Sequence, residues 1–100
     1  MARSKEDHDA RSLFEALAGL KAADEVAAFL ADIATPKEVA AFAERWRIAR
    51  MLDAGEQSYR EIAAATGAST ATIVRVARFL RNEPHRGYRR ALDRLQKKKA

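Results

Sequence analysis

The sequence predicts an all-α fold, on three observations. Nearly half of the 100 residues are hydrophobic, largely through alanine, while only 4 Gly and 2 Pro supply turns. Apolar residues recur at spacings of three and four along most of the chain. Ser or Thr followed three residues later by Glu, the signature of a capped helix start, occurs at Thr35 and again at Ser58.

The elements follow in order. "MARSKEDHDA" is polar and is expected to fray at its start. Leu13, Phe14, Leu17 and Leu20 then share a helical face, with Gly19 placed to let another helix approach. Val26, Phe29, Leu30 and Ile33 mark a second helix, with Asp24 as its expected N-cap. A third opens at Thr35, with Pro36 in its first turn and Glu38 closing a capping box. Its apolar stripe is Val39, Phe42, Ala43, Trp46, Ala49 and Leu52, and Gly55 stops it. At about 18 residues it is expected to be the longest helix. Ser58 and Glu61 start a short helix with Ile62 and Ala65 inward, kept slim by Ala63 and Ala64. Gly67 breaks it. Ser69 caps the next, with Ile73, Val76, Ala77 and Leu80 inward. "EPHRG" is a turn. A last helix carries Tyr88, Leu92 and Leu95 on one face before a basic "KKKA" end. The expected organisation is a single helical domain, 1–100, with flexible ends at 1–8 and 96–100.

Charge and composition narrow the function. The net charge of +5 is uneven. Residues 1–34 hold 4 Lys/Arg against 7 Asp/Glu, a balance of −3, whereas residues 35–100 hold 15 against 7, a balance of +8. A localised positive field suits a polyanion, most often nucleic acid. The absence of cysteine excludes disulfides and thiolate chemistry. No apolar run approaches the roughly 18 to 20 residues of a membrane span, and no signal-peptide core leads the chain. A soluble cytoplasmic protein with no membrane partner is the expectation. His8 and His85 have no metal-binding spacing, and no phosphate loop or nucleophile elbow occurs. The chain is therefore expected not to be an enzyme, with no catalytic residue, metal or cofactor.

Residues 58–81 read as a helix-turn-helix. The second helix starts with short side chains, Ser69, Thr70, Ala71 and Thr72, which allow close approach to the major-groove floor. The free N–H groups of that turn suit phosphate. Arg75, Arg78 and Arg81 run on from it. The rival reading is a helical protein–protein interaction module without DNA binding. RNA fits less well, because stacking aromatics are missing from the leading edge.

The stretch from Thr35 to Leu80 resembles the Trp repressor superfamily, and most closely its Trp repressor-like subgroup. The shared features are the Thr35-Pro36 start, Arg45 and Arg47-Ile48, Gly55-Glu56, and Ser58 with Arg60-Glu61. Gly67-Ala68 and Ala71-Thr72-Ile73 with Arg75 complete the match. The resemblance implies an intertwined homodimer of six-helix subunits that regulates transcription, as a repressor, on double-stranded DNA. Arg60 would approach a guanine, Thr70, Ala71 and Val74 would face the groove, and Tyr59, Thr72 and Arg81 would lie near phosphates. Thr35, Arg45 and Arg75 match positions of the family's tryptophan pocket. Val76 and Phe79 stand where that pocket needs a glycine and a serine, and Trp46 adds bulk nearby. The expectation is a protein that does not respond to tryptophan. Its pocket is either filled by its own side chains or shaped for an unknown small-molecule effector.

Overall fold

The computed structural model of the protein describes residues 4–99. Six helices follow one another: α1 (Lys5–Ala18), α2 (Ala23–Ile33), α3 (Pro36–Ala54), α4 (Tyr59–Thr66), α5 (Thr70–Arg81) and α6 (Gly87–Lys99). No strand occurs among the described residues. The chain groups into two compact units that meet between Val39 and Ala40, within α3.

In the first unit, α1 begins well before the apolar pattern does. The Ser4 hydroxyl accepts from the Asp7 N–H at 3.1 Å, and the Asp7 carboxylate accepts from the Ser4 N–H at 3.3 Å. This box holds two polar turns that hydrophobic spacing cannot reveal. Residues 5–8 and 96–99 thus lie in α1 and α6, whereas 1–3 and 100 lie outside the described residues. Gly19 is the C-cap of α1 with ordinary helical torsions, and a methyl group there would meet only its own helix's carbonyls at 3.6 Å. It therefore serves no close helix approach. The N-cap of α2 is Ala22, without a side-chain bond, rather than Asp24. Asp24 lies inside the first turn, where its charge complements the helix dipole. Neither α1 nor α2 has a buried residue, and Phe14 and Ile33 are more than half exposed. Thr35 and Glu38 form the expected box at 2.8 and 3.1 Å.

The second unit has a dry core of Ile48, Ala49, Leu52, Ile62, Ile73, Val76, Ala77, Leu80 and Leu92. The four expected inward residues of α5 are all there. On α3 the buried face differs from the expected stripe. Ile48 is fully buried, Phe42 and Ala43 are exposed, and Trp46 only packs against the edge. On α4, Ala63 rather than Ala65 joins Ile62, because i and i+1 straddle the buried edge of so short a helix while i+3 rotates outward. Ala64 is exposed as well. Leu95 is 43% exposed, so Tyr88 and Leu92 alone seat α6 on this core.

Arg89 ties α6 to α3. It donates to both carboxylate oxygens of Asp53, at 2.7 and 3.3 Å, and pairs with Asp93 at 2.8 Å. Gln96 adds a bond to Asp53 at 3.1 Å. The Arg89 bond holds the Asp53 carboxyl below its ordinary value, against the opposing effect of desolvation. Glu38 and Glu61 are lowered by the backbone N–H and hydroxyl of Thr35 and Ser58.

Two outcomes follow from these contacts. All three carboxyls bind protons less readily folded than unfolded, so their stabilisation is complete above about pH 4.5 and is lost as pH falls through their depressed values. Urea melts between pH 6 and 3 should show this loss, and Glu61→Gln should flatten part of it. Gly67 has φ +77°. Gly67→Ala should therefore lower the unfolding free energy by about 1–2 kcal/mol, measured in the same melts at pH 7.

Candidate nucleic-acid interface

Helices α4 and α5 pack against each other across the three residues Gly67, Ala68 and Ser69. The reversal is specified locally. Gly67 takes the left-handed conformation and its N–H reaches the Ala63 carbonyl at 2.8 Å. The Thr66 hydroxyl donates to the Ile62 carbonyl at 2.8 Å and accepts from the Ala68 N–H at 3.2 Å. Ala68 packs on the core, which turns the chain inward once before α5 starts. The Ser69 hydroxyl then caps α5 by accepting from the Thr72 N–H at 3.1 Å. It also lies 3.0 Å from the Thr72 hydroxyl.

With Ile73, Val76, Ala77 and Leu80 inward, the outer face of α5 is decided. Ser69, Thr70, Ala71 and Val74 are exposed at its start, and Thr72 is half-buried beside Ser69. No acidic residue lies in this first turn. The N–H groups of Thr70 and Ala71 precede the first intrahelical bonds and point outward along the axis. Arg60 is exposed on the first turn of α4. Tyr59, beside it, accepts from Arg81 at 3.2 Å, so the start of α4 is tied to the end of α5. Arg78 pairs with Glu83 at 3.3 Å. The structure thus brings Tyr59, Arg60, Ser69, Thr70, Ala71, Thr72, Val74, Arg75, Arg78 and Arg81 onto one helix pair. Two of its arginines already have partners.

A cavity of about 340 Å³ opens beside α5, lined by Arg45, Arg75, Val76, Phe79, His85, Gly87 and Tyr88. Four of the five expected pocket residues meet here. Thr35 does not line it; it belongs to the other unit, and its hydroxyl caps α3. Trp46 is not among the lining residues either. Val76 is a core residue, and Phe79 stands half-buried with the Arg75 and Arg78 guanidinium groups 4.4 and 5.0 Å from its ring centre. His85 stacks on the same ring at 6.1 Å. Arg45 lies over the Phe42 ring at 5.8 Å. His85, Gly87 and Tyr88 were not legible as lining, because "EPHRG" carries only a turn signal. The bend that swings them against α5 includes Arg86 at φ +56°.

The six-helix arrangement defines a Trp repressor-like fold. It superimposes on a TrpR-like protein from Eubacterium eligens ATCC 27750 with a TM-score of 0.80, at 40% identity over 89% of this chain and 90% of that one. A candidate Trp repressor from Staphylococcus aureus matches with the same TM-score, at 31% identity over 95% and 96% of the two chains. The chain belongs to the Trp repressor family: the family model described as Trp repressor protein matches residues 8–96. It is also 43% identical over 84 residues to the uncharacterized protein YerC of Bacillus subtilis (strain 168), which is 84% of this chain and 79% of that protein.

Proposed function

We propose that the protein is a homodimeric, sequence-specific regulator of transcription that reads duplex DNA through α4 and α5 as a helix-turn-helix. The observation that carries this reading is the exposed, acid-free start of α5, with the small side chains of Ser69, Thr70 and Ala71 flanked by Arg60, Arg75, Arg78 and Arg81. Thr70, Ala71 and Val74 face the groove, and Arg60 contacts a guanine. Tyr59, Thr72 and Arg81 lie along phosphates. The Tyr59–Arg81 bond supports this role by holding two phosphate contacts from different helices in one place. Family membership supports a regulator rather than an enzyme. The reading implies a cytoplasmic protein.

Uncovered apolar side chains support the dimer. Phe14, Ile33 and Phe42 are each at least half exposed in one subunit, and no side chain of α1 or α2 is fully buried. Helices whose apolar faces are only partly covered have little to hold them in water. A second copy interlocking with them would complete one single domain from the two units.

The cavity supports an effector site. Its polar lining, Arg45, Arg75 and His85, includes no carboxylate, and Val76, Phe79 and Tyr88 supply apolar walls. Its volume lies at the small end of ligand pockets. A small anion with a flat apolar body fits that chemistry. Val76 and Phe79 stand where the family's tryptophan pocket has a glycine and a serine, so tryptophan is not the expected effector. Selection of bound genomic fragments, with and without a metabolite pool, tests the DNA reading and the effector together.

Two measurements check the rest. Arg60→Ala should relax preference at one position of the selected site by about 1–3 kcal/mol. Arg81→Ala should instead weaken binding to all duplexes alike and reduce the salt slope by about 1.8, one contact from each subunit. Identical behaviour of the two variants contradicts the assignment. Sedimentation at micromolar concentration should give twice the 11.1 kDa subunit mass, and an 11.1 kDa species alone contradicts the dimer.

A further inference from the structure

The last helix carries a second charged surface. Arg86, at its N-terminal edge, is followed by Arg90, Arg94 and Lys97 at intervals of four, four and three. At about 100° per residue Arg90, Arg94 and Lys97 fall within one quarter of the helix surface, opposite Tyr88, Leu92 and Leu95, and Arg86 precedes them at φ +56°. All four are exposed, and none forms an ion pair among the described residues. The nearby acids are already engaged, Asp93 by Arg89 and Glu83 by Arg78. The stripe joins the end of α5: Arg81 and Arg86 line one cleft of about 530 Å³, together with Arg89, Asp53 and Glu83.

Resting on the reading of α4 and α5 as a DNA-binding pair, we infer that the outer face of α6 is a second contact for duplex DNA, engaging the sugar–phosphate backbone beyond the bases that α5 reads. Positive charge runs from Arg81 through Arg86 to Lys97. Its span, about 16 Å along the helix axis, matches several phosphates at one charge per 3.4 Å of a strand. The chemistry of the stripe selects this partner. It has no aromatic side chain to stack unpaired bases. It has little apolar flank to enter a bilayer, because Tyr88 and Leu92 on the apolar side of α6 are seated on the core. Arginines spaced by one helical turn offer charge and forked donors without base discrimination.

The test compares wild type with Arg86→Gln/Arg90→Gln/Arg94→Gln and with the matching triple lysine variant, on a random-sequence duplex and on a selected genomic fragment. The glutamine variant should lose about five from the slope of log affinity against log salt, at about 0.9 per phosphate contact with three contacts from each subunit of the dimer. Its hydroxyl-radical footprint should shorten at the flanks while its ratio of specific to random binding holds or rises. The lysine variant should retain the wild-type slope. An unchanged slope and footprint in the glutamine variant overturns the inference while leaving the α4–α5 reading intact. So does a lysine variant as weak as the glutamine one, or a loss confined to phosphatidylserine vesicles. Wild type that binds neither duplex overturns both.

Discussion

Helix α4 has only eight residues, too few to persist in water by itself. It exists because Ile62 is driven completely into the core formed by Ile48, Ile73 and Val76. Each such side chain contributes about 1.5–3 kcal/mol by leaving water. The rest of the second unit depends on this anchoring. With Ile62 and Ala63 turned inward, Tyr59 and Arg60 must face out. Gly67 must then adopt positive φ for α5 to lay Ile73 on the same core. The reading surface is the remainder left when the buried faces of two helices have been assigned.

That core contains no buried polar group, so its specificity comes from shape and from the helix ends. Ser4, Thr35, Ser58 and Ser69 all cap helix starts through side-chain oxygen. The arginines divide into two sets. Arg89 is spent on Asp53 and Asp93 and joins α6 to α3, and Arg78 leans on Glu83. Arg60, Arg86, Arg90 and Arg94 remain exposed. Net charge alone could not separate a structural arginine from one available to a polyanion, since the separation depends on which carboxylates the fold brings near. Asp53 and Arg89 are 36 residues apart in sequence, and no local pattern links them.

The same contrast governs the cavity. Arg45, Arg75, Val76 and Phe79 were legible as one site only through family resemblance. The structure gathers them together with His85, Gly87 and Tyr88, which arrive from the far side of a bend. Arg86 at positive φ redirects the chain there, and nothing in an arginine announces that conformation. Phe79 does not close the space. It stands to one side with Arg75 and Arg78 against its ring, so an opening persists that the size of Val76 and Phe79 would not suggest.

The sequence by itself determined the six helices, the caps at Thr35, Ser58 and Ser69, the break at Gly67 and the inward face of α5. Those features arise from interactions within four residues, or from a periodicity that repeats over several turns. It also carried the family, through ordered motifs from Thr35 to Leu80. Only the tertiary structure decided which side of α3 is buried, where Ile48 displaces Phe42. It likewise decided which alanine of α4 packs and which arginines are committed. Helix α3 is apolar on more than one side, and a face becomes the buried one only when particular neighbours cover it. That choice depends on long-range packing, to which local spacing is blind.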